Sequence, residues 1–376
     1  MKSIVVKCSL LLLLVPFFAF MLKDSEHVEK KVNREFTIQP NGYVTLTNKY
    51  GSLDVAIGED NQVKINVTIS AKASSEKKAQ EAVDRISIDF EEGNNRVQAT
   101  TNIESANGWL SWFNFGKTEM EINYQVLVPK DIYLDLTNKY GDIYMESTDR
   151  DLKIELAYGN IRLGDVNANL KMDMSYSEGN ISQIKDGDIT LKYSDLEMED
   201  GQNVTMNNRY VDLKTGSIQK LNLESAYSNL KSVSIGQFEY NGKYDDVVLD
   251  RAGSVHAETA YTDIVIDEVE KGGDFDMRYG DLQLKQIHRG FSNININTSY
   301  TGVEIELTSD ASFSIDAETN YCDISHPELK IMEDSQRELS ATLVGSRGVG
   351  GGEIKARMSY GELNIETADK NSPAKP

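Results

Sequence analysis

The stretch Asn138-Lys139-Tyr140-Gly141-Asp142-Ile143 recurs along the chain as tyrosine, a small residue, Asp or Asn, and then Leu, Ile or Val. In chain order the copies in register read NKYGDI, LAYGNI, LKYSDL, NRYVDL, SAYSNL, GKYDDV, TAYTDI, MRYGDL, TSYTGV, TNYCDI and MSYGEL. The copy at Tyr176 departs from the pattern, because two further residues precede its isoleucine. The repeated tyrosines are Tyr140, Tyr158, Tyr176, Tyr193, Tyr210, Tyr227, Tyr244, Tyr261, Tyr279, Tyr300, Tyr321 and Tyr360.

The spacing of these tyrosines is nearly constant. Neighbours from Tyr140 to Tyr279 are 17 or 18 residues apart, and the next two intervals, which end at Tyr300 and Tyr321, are 21 residues each. One earlier copy stands at Tyr50, and with it the series forms what we call the tyrosine ladder. A fixed period of this kind indicates a repeat architecture in which each unit packs on its neighbours.

Alternating apolar residues flank each tyrosine. Ile154 and Leu156 precede Tyr158 at steps of two, and Leu282 and Leu284 follow Tyr279 in the same way but one step out of phase. A period of two indicates β-strands, and the change of phase indicates a corner between them. Segments rich in glycine and aspartate between the copies predict a second corner. Each copy is therefore expected to be strand, corner, strand and corner.

The length of the unit selects the fold class. Seventeen residues are too few for a β-α-β unit or for a propeller blade, which need about 30 and 40 residues. We therefore predict an all-β fold, a single-stranded parallel β-helix (β-solenoid) of about 17-residue coils. Twelve coils at roughly 4.8 Å each would give a rod of about 55–60 Å, and the crossover rule for parallel strands favours right-handed winding.

Four segments follow from the composition. Residues 1–22 combine a basic start with a short apolar run, which predicts a signal peptide or an uncleaved anchor. Residues 23–135 are expected to form the first coil and a mixed N-terminal cap, with one short amphipathic helix between Ser75 and Ile86. Residues 136–366 hold the β-helix repeats, with a polar, glycine-rich insertion at 328–352 before the last copy, and 367–376 are expected to be a disordered tail.

The charge and the cysteines narrow the possible partners. The net charge of −21 argues against nucleic acid and against docking to an anionic membrane. Cys8 lies in the apolar N-terminal run, so Cys322 would be alone in the mature chain, without a disulfide or a zinc cluster. No later segment is apolar enough to span a bilayer.

The ladder, the early Val128-Pro129-Lys130, the front cap and the export signal together resemble the putative adhesin β-helix family of Bacteroidota. The resemblance covers about residues 36–366. It implies an exported, single-stranded parallel β-helix with an adhesive or scaffold role. It brings no established catalytic residues to any position of this chain.

The tyrosines have two interpretations. They could form an exposed aromatic stripe on which sugars stack, or a core stack inside the corner. The alternation of the preceding strand favours the core stack. Cys322 stands in the small-residue position after Tyr321 and is interpreted as structural.

A polar row follows the ladder two residues downstream. It could be a calcium-binding edge, but Asp and Asn that turn the corner through local backbone hydrogen bonds are the favoured interpretation. We therefore expect several of these residues to have positive φ or to form a bulge. The row is Asp142, Asn160, Asp195, Asp212, Asn229, Asp246, Asp263, Asp281 and Asp323.

An aromatic loop at 108–115 holds both tryptophans and is the best candidate contact site. It could contact a partner, a sugar or a membrane, but a plug over the open end of the solenoid is the favoured interpretation. Its aromatic residues are Trp109, Trp112, Phe113 and Phe115. The glycine-rich run 345–352 lacks the Lys-Ser/Thr ending of a phosphate loop. Neither a metal site nor a cofactor is expected, because the histidines are few and scattered: His27, His256, His288 and His326.

These observations favour a non-enzymatic cell-envelope protein, an adhesin or binding scaffold, whose partner is an unknown envelope protein or a glycan. The location would be the periplasm or the outer cell surface. One alternative is a polysaccharide-active β-helix lyase or hydrolase, which needs acids and bases of tuned pKa clustered in a groove. Another is a regulatory or assembly partner that acts through the front cap.

Overall fold

In a computed structural model that describes residues 25–58, 61–104 and 118–368, the chain winds into stacked coils of parallel strands with one short helix. The predicted fold class is confirmed. The first part of the chain contains β1 (Glu26–Thr37), β2 (Tyr43–Lys49), β3 (Leu53–Gly58), β4 (Gln62–Ala73), α1 (Glu76–Asp84), β5 (Ile86–Gly93), β6 (Arg96–Ile103) and β7 (Glu119–Pro129). The coils that follow contain β8 (Tyr133–Lys139), β9 (Ile143–Met145), β10 (Leu152–Ala157), β11 (Asn160–Ser175), β12 (Glu178–Ala226), β13 (Asn229–Lys243), β14 (Asp246–Ala260), β15 (Asp263–Ile287), β16 (Asn293–Leu307), β17 (Phe313–Ser325), β18 (Lys330–Arg337), β19 (Ser340–Arg347) and β20 (Gly352–Thr367).

Neighbouring coils pair in parallel along both of their walls. Before the corner, Ile154 of β10 faces Met172 of β11, and after the corner Ile161 of β11 faces Ile143 of β9. These residues are buried, so the alternate apolar positions point into one continuous core between the walls. Because each coil buries its apolar face against the next one, the register set at one coil carries along the rod.

The N-terminal end is closed by antiparallel strands and the helix. Strand β1 pairs with β4, β4 pairs with β7, and β5 pairs with β6, all antiparallel. Helix α1 lies against β1, β4 and β5 and buries Ala79, Ala82 and Val83. Ser75 caps the helix by accepting a hydrogen bond from the Lys78 amide at 3.4 Å. The amphipathic helix predicted for this segment is therefore confirmed.

The coils are not stacked in chain order. Strand β2 lies between β6 and β8, although β6 comes later in the sequence. Strand β20 lies between β16 and β17, although it is the last strand of the chain. The insertion predicted before the last copy contains β18 and β19. These strands form an antiparallel hairpin on the outer edge of β17, which the sequence did not indicate. The second coil from the C-terminal end of the rod is thus supplied by the end of the chain.

Close backbone approach explains a glycine at the first corners. A Cβ atom on Gly141 would lie 2.0 Å from the carbonyl oxygen of Gly51 in the neighbouring coil. Replacing Gly141 by alanine should force these two coils apart and lower the free energy of unfolding by about 2–3 kcal/mol. Urea unfolding followed by circular dichroism measures this difference.

Gly93 of β5 is the matched control, because a Cβ atom there would meet nothing within 4 Å. Its replacement by alanine should change the free energy of unfolding by less than about 1 kcal/mol, and the lower entropy of the unfolded alanine chain favours a gain. Equal effects of the two substitutions would contradict the close contact between the corners.

The described part of the chain has only α1 as a helix, and no helix there is long and apolar enough to cross a membrane.

Candidate functional site

The corner conformation is carried by the tyrosines. All thirteen ladder tyrosines have φ between 51° and 60°, in the left-handed region. The row of Asp and Asn was expected to adopt this conformation, and that prediction is wrong, because Asp195, Asp212 and Asp263 do not have positive φ. The left-handed region costs a non-glycine residue roughly 1–2 kcal/mol, so each corner must recover this cost from its contacts.

The left-handed corner also turns the rings outward. In an extended strand the tyrosine would point inward, like Leu156 two residues before Tyr158, but the change in φ moves the ring to the other side of the backbone. The twelve rings from Tyr140 to Tyr360 are 42–51% exposed, and Tyr50 is half-buried. The prediction of a tyrosine stack inside the bend is therefore wrong, whereas stacking itself is observed.

The rings stack face to face along the outside of the rod. Neighbouring ring centroids are 4.7–5.2 Å apart and the ring planes are within 13° of parallel. Twelve intervals at about 4.8 Å make a stripe roughly 58 Å long. Each internal ring is covered on both faces by its neighbours, so it presents its edge and hydroxyl to solvent. Within the described residues no hydrogen bond holds a ladder hydroxyl.

At several corners the residue that follows the tyrosine points into the bend instead, and its side chain is buried. Ser194 shows the common arrangement: its hydroxyl donates to the Lys192 carbonyl at 2.8 Å and accepts from the Ser177 amide of the preceding coil at 3.2 Å. Ser177, Ser228 and Thr262 make the equivalent side-chain bonds to carbonyls two residues earlier. The sequence pattern contained this signal as a recurring small residue, but size alone did not predict a chain of hydroxyls.

Asp245 occupies the same inward position with a carboxylate. It is 4% exposed and accepts hydrogen bonds from the Ser228 amide at 2.8 Å, the Lys243 amide at 3.1 Å and the Tyr240 hydroxyl at 2.8 Å. Burial raises the pKa of this carboxyl despite the hydrogen bonds that it accepts. Burial, followed by the nearby Asp245 carboxylate, also raises the pKa of Tyr240.

Cys322 fills the inward position of its own coil. Its Sγ donates to the Asn320 carbonyl at 3.3 Å, and burial raises the pKa of the thiol. These contacts agree with a structural role.

The polar row bonds between coils rather than within its own corner. Asp142 Oδ1 accepts from the Asn160 amide at 2.7 Å and from the Asn160 side chain at 3.0 Å. Asp263 Oδ1 accepts from the Asp281 amide at 2.9 Å. Asparagine between aspartates replaces carboxylate repulsion by a hydrogen bond.

A shallow groove of about 940 Å³ borders the ladder on its downstream side. Its lining carries both signs of charge, from Asp195 and Asp212 of the polar row and from Arg162, Lys214 and Lys231. In the described ranges, no three or more His, Cys, Asp or Glu side chains are grouped so that they could hold a metal ion.

A second aromatic stack lies at the first coils and is closed on both faces. Tyr43 and Tyr133 stack at 4.9 Å, with the Arg96 guanidinium 5.3 Å from the first ring and that of Arg150 5.9 Å from the second. Cations on both outer faces make this a self-contained cation–π stack, which leaves no ring face for a ligand.

The remaining sequence candidates do not assemble into a site. His288 Nε2 lies 2.6 Å from Glu268 Oε1, and His256 lies 3.7 Å from Glu258. The aromatic loop with Trp109, Trp112, Phe113 and Phe115 lies outside the described residues, so its role as a plug or a contact site stays a prediction.

Comparison with known proteins gives a family and distant structures. A family model described as Toastrack DUF4097 matches residues 45–366, which confirms the resemblance drawn from the ladder. No curated protein matches the chain.

Three solved structures are similar to this chain at 11% identity. A putative cell adhesion protein from Clostridium sporogenes has a TM-score of 0.18, with 91% of this chain and 100% of that chain covered. A putative adhesin from Bacteroides fragilis and a putative lipid binding protein from Parabacteroides distasonis each have a TM-score of 0.20, with 90% of this chain and 97% of the other covered.

Proposed function

This chain belongs to the Toastrack DUF4097 family, and we propose that it is an exported, non-enzymatic binding scaffold of the cell envelope. Its contact surface is the tyrosine ladder, along which an extended segment of a partner protein lies. The outward position of the stacked rings is the observation that carries this proposal. The basic start and apolar run of residues 1–22 support export.

The size of the exposed stripe supports a binding role. Twelve tyrosines are about half exposed, and a tyrosine side chain offers roughly 200 Å², so the stripe amounts to on the order of 1,000 Å². Contiguous aromatic surfaces on monomers are usually limited to a few hundred square ångströms. A stable protein interface needs about 800 Å² per partner, which the ladder supplies along one side of the rod.

The orientation of the rings favours a protein over a glycan. A sugar that packs on an aromatic residue uses the ring face, and the internal rings of the ladder have both faces covered. Ring edges and hydroxyls remain, and this combination of an apolar body with a polar tip is what enriches tyrosine at protein interfaces. The partner is therefore expected to contribute apolar and hydrogen-bonding groups along an extended backbone.

Charge further restricts the partner segment. The chain carries a net charge of −21, and the exposed carboxylates of Asp195, Asp212 and Asp246 follow the ladder on one side. A segment with basic residues directed to this row would bind with complementary charge and would associate faster at low ionic strength.

The test uses rebinding of the purified protein to envelopes from cells that lack its gene. Tyr193, Tyr210 and Tyr227 are replaced together by asparagine, which tolerates positive φ better than other non-glycine residues. We expect this triple variant to bind at least tenfold more weakly than the wild type. Protease treatment of the envelopes should abolish binding, and periodate treatment, which destroys sugars, should leave it intact.

A double variant of the same coils is the matched control. Lys220 and Gln237 face each other on neighbouring coils. Both are exposed and each precedes the next ladder tyrosine by seven residues, so their replacement by alanine should leave binding unchanged. Equal binding by the triple tyrosine variant, with its fold verified by circular dichroism, would exclude the ladder as the contact surface. Loss of binding after periodate but not after protease would replace the protein partner by a glycan.

A further inference from the structure

The last coil of the chain fills a slot between two earlier coils. On one side β20 pairs with β16, where Ile354 faces Ile294, and on the other side it pairs with β17, where the same Ile354 faces Ile315. Backbone hydrogen bonds hold both ends of β20, since the Glu353 amide donates to the Ser292 carbonyl at 3.0 Å and the Ala368 amide donates to the Leu307 carbonyl at 2.8 Å. Both backbone edges of β20 are therefore satisfied by strands that precede it by 27 or more residues in the chain.

The slot fits this particular segment closely. A Cβ atom on Gly352 would lie 2.4 Å from the Phe291 ring, and one on Gly361 would lie 2.1 Å from the Thr301 carbonyl oxygen. The side chains that β20 sends into the core are all buried, namely Ile354, Ala356, Met358, Leu363 and Ile365. The ring of Tyr360 lies between those of Tyr300 and Tyr321, at 4.7 and 4.8 Å.

A short tether connects β20 to the strand before it. Gly348, Gly350 and Gly351 all have positive φ, and Val349 between them is 98% exposed. The pairing partners of β20 lie at 293–325, so the paired contacts do not depend on which chain provides the coil. The tether alone determines that it comes from the same chain.

The two walls of the slot match each other when β20 is withdrawn. Through β20, Ile294 is in register with Ile315, and Val303 is in register with Ile324. The connections before β16 and before β17 are both five residues long, at 288–292 and 308–312. A chain without its last coil in place can therefore stack β17 on β16 and still bury its core, which makes the open form accessible.

We propose that this slot is a strand-acceptor site for a second copy of the chain, so that two copies exchange residues 352–367. Exchange of an identical element reproduces every contact of the closed monomer, which is why it is a low-cost route to a dimer. The exposed glycine tether is the hinge. The matching walls of β16 and β17 close the slot after β20 has left it and before β20 of the other copy has entered.

The test places one cysteine on each of two differently tagged full-length chains. Ser299 and Ser359 face each other across the edge of the slot, and Cα atoms on adjacent paired strands are about 5 Å apart, within the range for a disulfide. One copy carries Ser299→Cys and the other Ser359→Cys, both with Cys8 and Cys322 changed to serine. The two copies are unfolded, mixed and refolded under oxidising conditions.

We expect a disulfide-linked heterodimer whose yield rises with protein concentration. A single chain that carries both cysteines verifies the geometry by forming the bond within itself. If that internal bond forms and no heterodimer appears at any concentration, the exchange is excluded.

A locked variant tests whether the slot itself is required. Ser299 and Asn320 are separated by β20, so their Cα atoms lie roughly 10 Å apart and cannot be bridged by a disulfide while the slot is filled. The double variant Ser299→Cys/Asn320→Cys, oxidised during refolding, closes the slot. The closed chain should stay monomeric at concentrations at which the wild type dimerises, and dimers of the closed chain would overturn the proposal.

Discussion

Replacing Asp245 by alanine is expected to lower the free energy of unfolding by about 3 kcal/mol. The substitution leaves the Ser228 and Lys243 amides and the Tyr240 hydroxyl without the acceptor that they share. A buried donor that loses its partner costs about 1–3 kcal/mol, and the three donors converge on one side chain that is 4% exposed. Equilibrium unfolding in urea at pH 7 measures the loss.

Two further variants separate this effect from a general loss of charge. Asp246, the next residue, is exposed, and its replacement by alanine should change the free energy of unfolding by less than about 0.5 kcal/mol. Serine at position 245 together with Tyr240→Phe rebuilds the hydroxyl arrangement of Ser194 and removes the unpaired phenol. This double variant should recover most of the loss, and its failure to do so would contradict the account of the corner.

The same carboxyl gives the stability a defined pH dependence. Burial raises the pKa of Asp245 above the ordinary value of 3.8, so the native state binds this proton more tightly than the unfolded state does. The contribution to stability is therefore present at low pH and is lost as the pH rises from the unfolded value through the raised native pKa. Asp245→Asn removes this titration. The free energy of unfolding of the wild type minus that of the variant should therefore fall as the pH rises across that window and stay constant above it. A difference that rises with pH would reverse the sign and contradict the argument.

Replacing Tyr227 should produce an unusual order of stability, in which glycine is better than alanine. The ring stacks on Tyr210 at 5.0 Å and on Tyr244 at 4.8 Å, so either substitution loses two stacking contacts of about 0.5–1.5 kcal/mol each. The backbone has φ 57°, which alanine adopts at a cost of about 1–2 kcal/mol and glycine adopts freely. Alanine keeps the backbone strain that tyrosine already carries and glycine relieves it, so we expect losses of about 2 kcal/mol for alanine and about 1 kcal/mol for glycine.

The control is Glu239, an exposed residue of β13 whose backbone is extended. Glu239 pairs with Asn222 in the regular part of β13, and there alanine should be more stable than glycine by about 0.5–1 kcal/mol. Thermal and urea unfolding of the four variants measures both differences. The same order at both positions would mean that the left-handed corner carries no strain.

Much of the fold followed from local patterns. The 17-residue period and the alternation around Tyr158 and Tyr279 predict a parallel β-solenoid, because no other unit of that length buries one face on its neighbours. The helix found at Glu76–Asp84 was predicted between Ser75 and Ile86 from four apolar residues on one face. These signals depend only on periodicity, which is a property of the chain itself.

The orientation of the ladder did not follow from the same reasoning. The alternation of side chains along a strand places a tyrosine inward only while the backbone stays extended. The φ of 58° at Tyr158 is left-handed, so the alternation does not hold there. Asn and Asp are the usual residues for positive φ, so the sequence predicts it at Asn160 rather than at Tyr158, two residues earlier. The recurring small residue after each tyrosine was noted, but its position inside the bend depends on that unexpected φ.

The repeat in the sequence is enough to establish the unit: its length, its two walls, its corner and the apolar positions that face inward. The direction of the rings and the spatial order of the coils are visible only in the folded chain. The direction of the rings depends on the left-handed φ at each corner, and the order of the coils depends on contacts between coils that are not neighbours in sequence. Tyr360 lies between Tyr300 and Tyr321 because β20 completes two parallel edges at once, and a repeat in the sequence carries no information about which copy stacks on which.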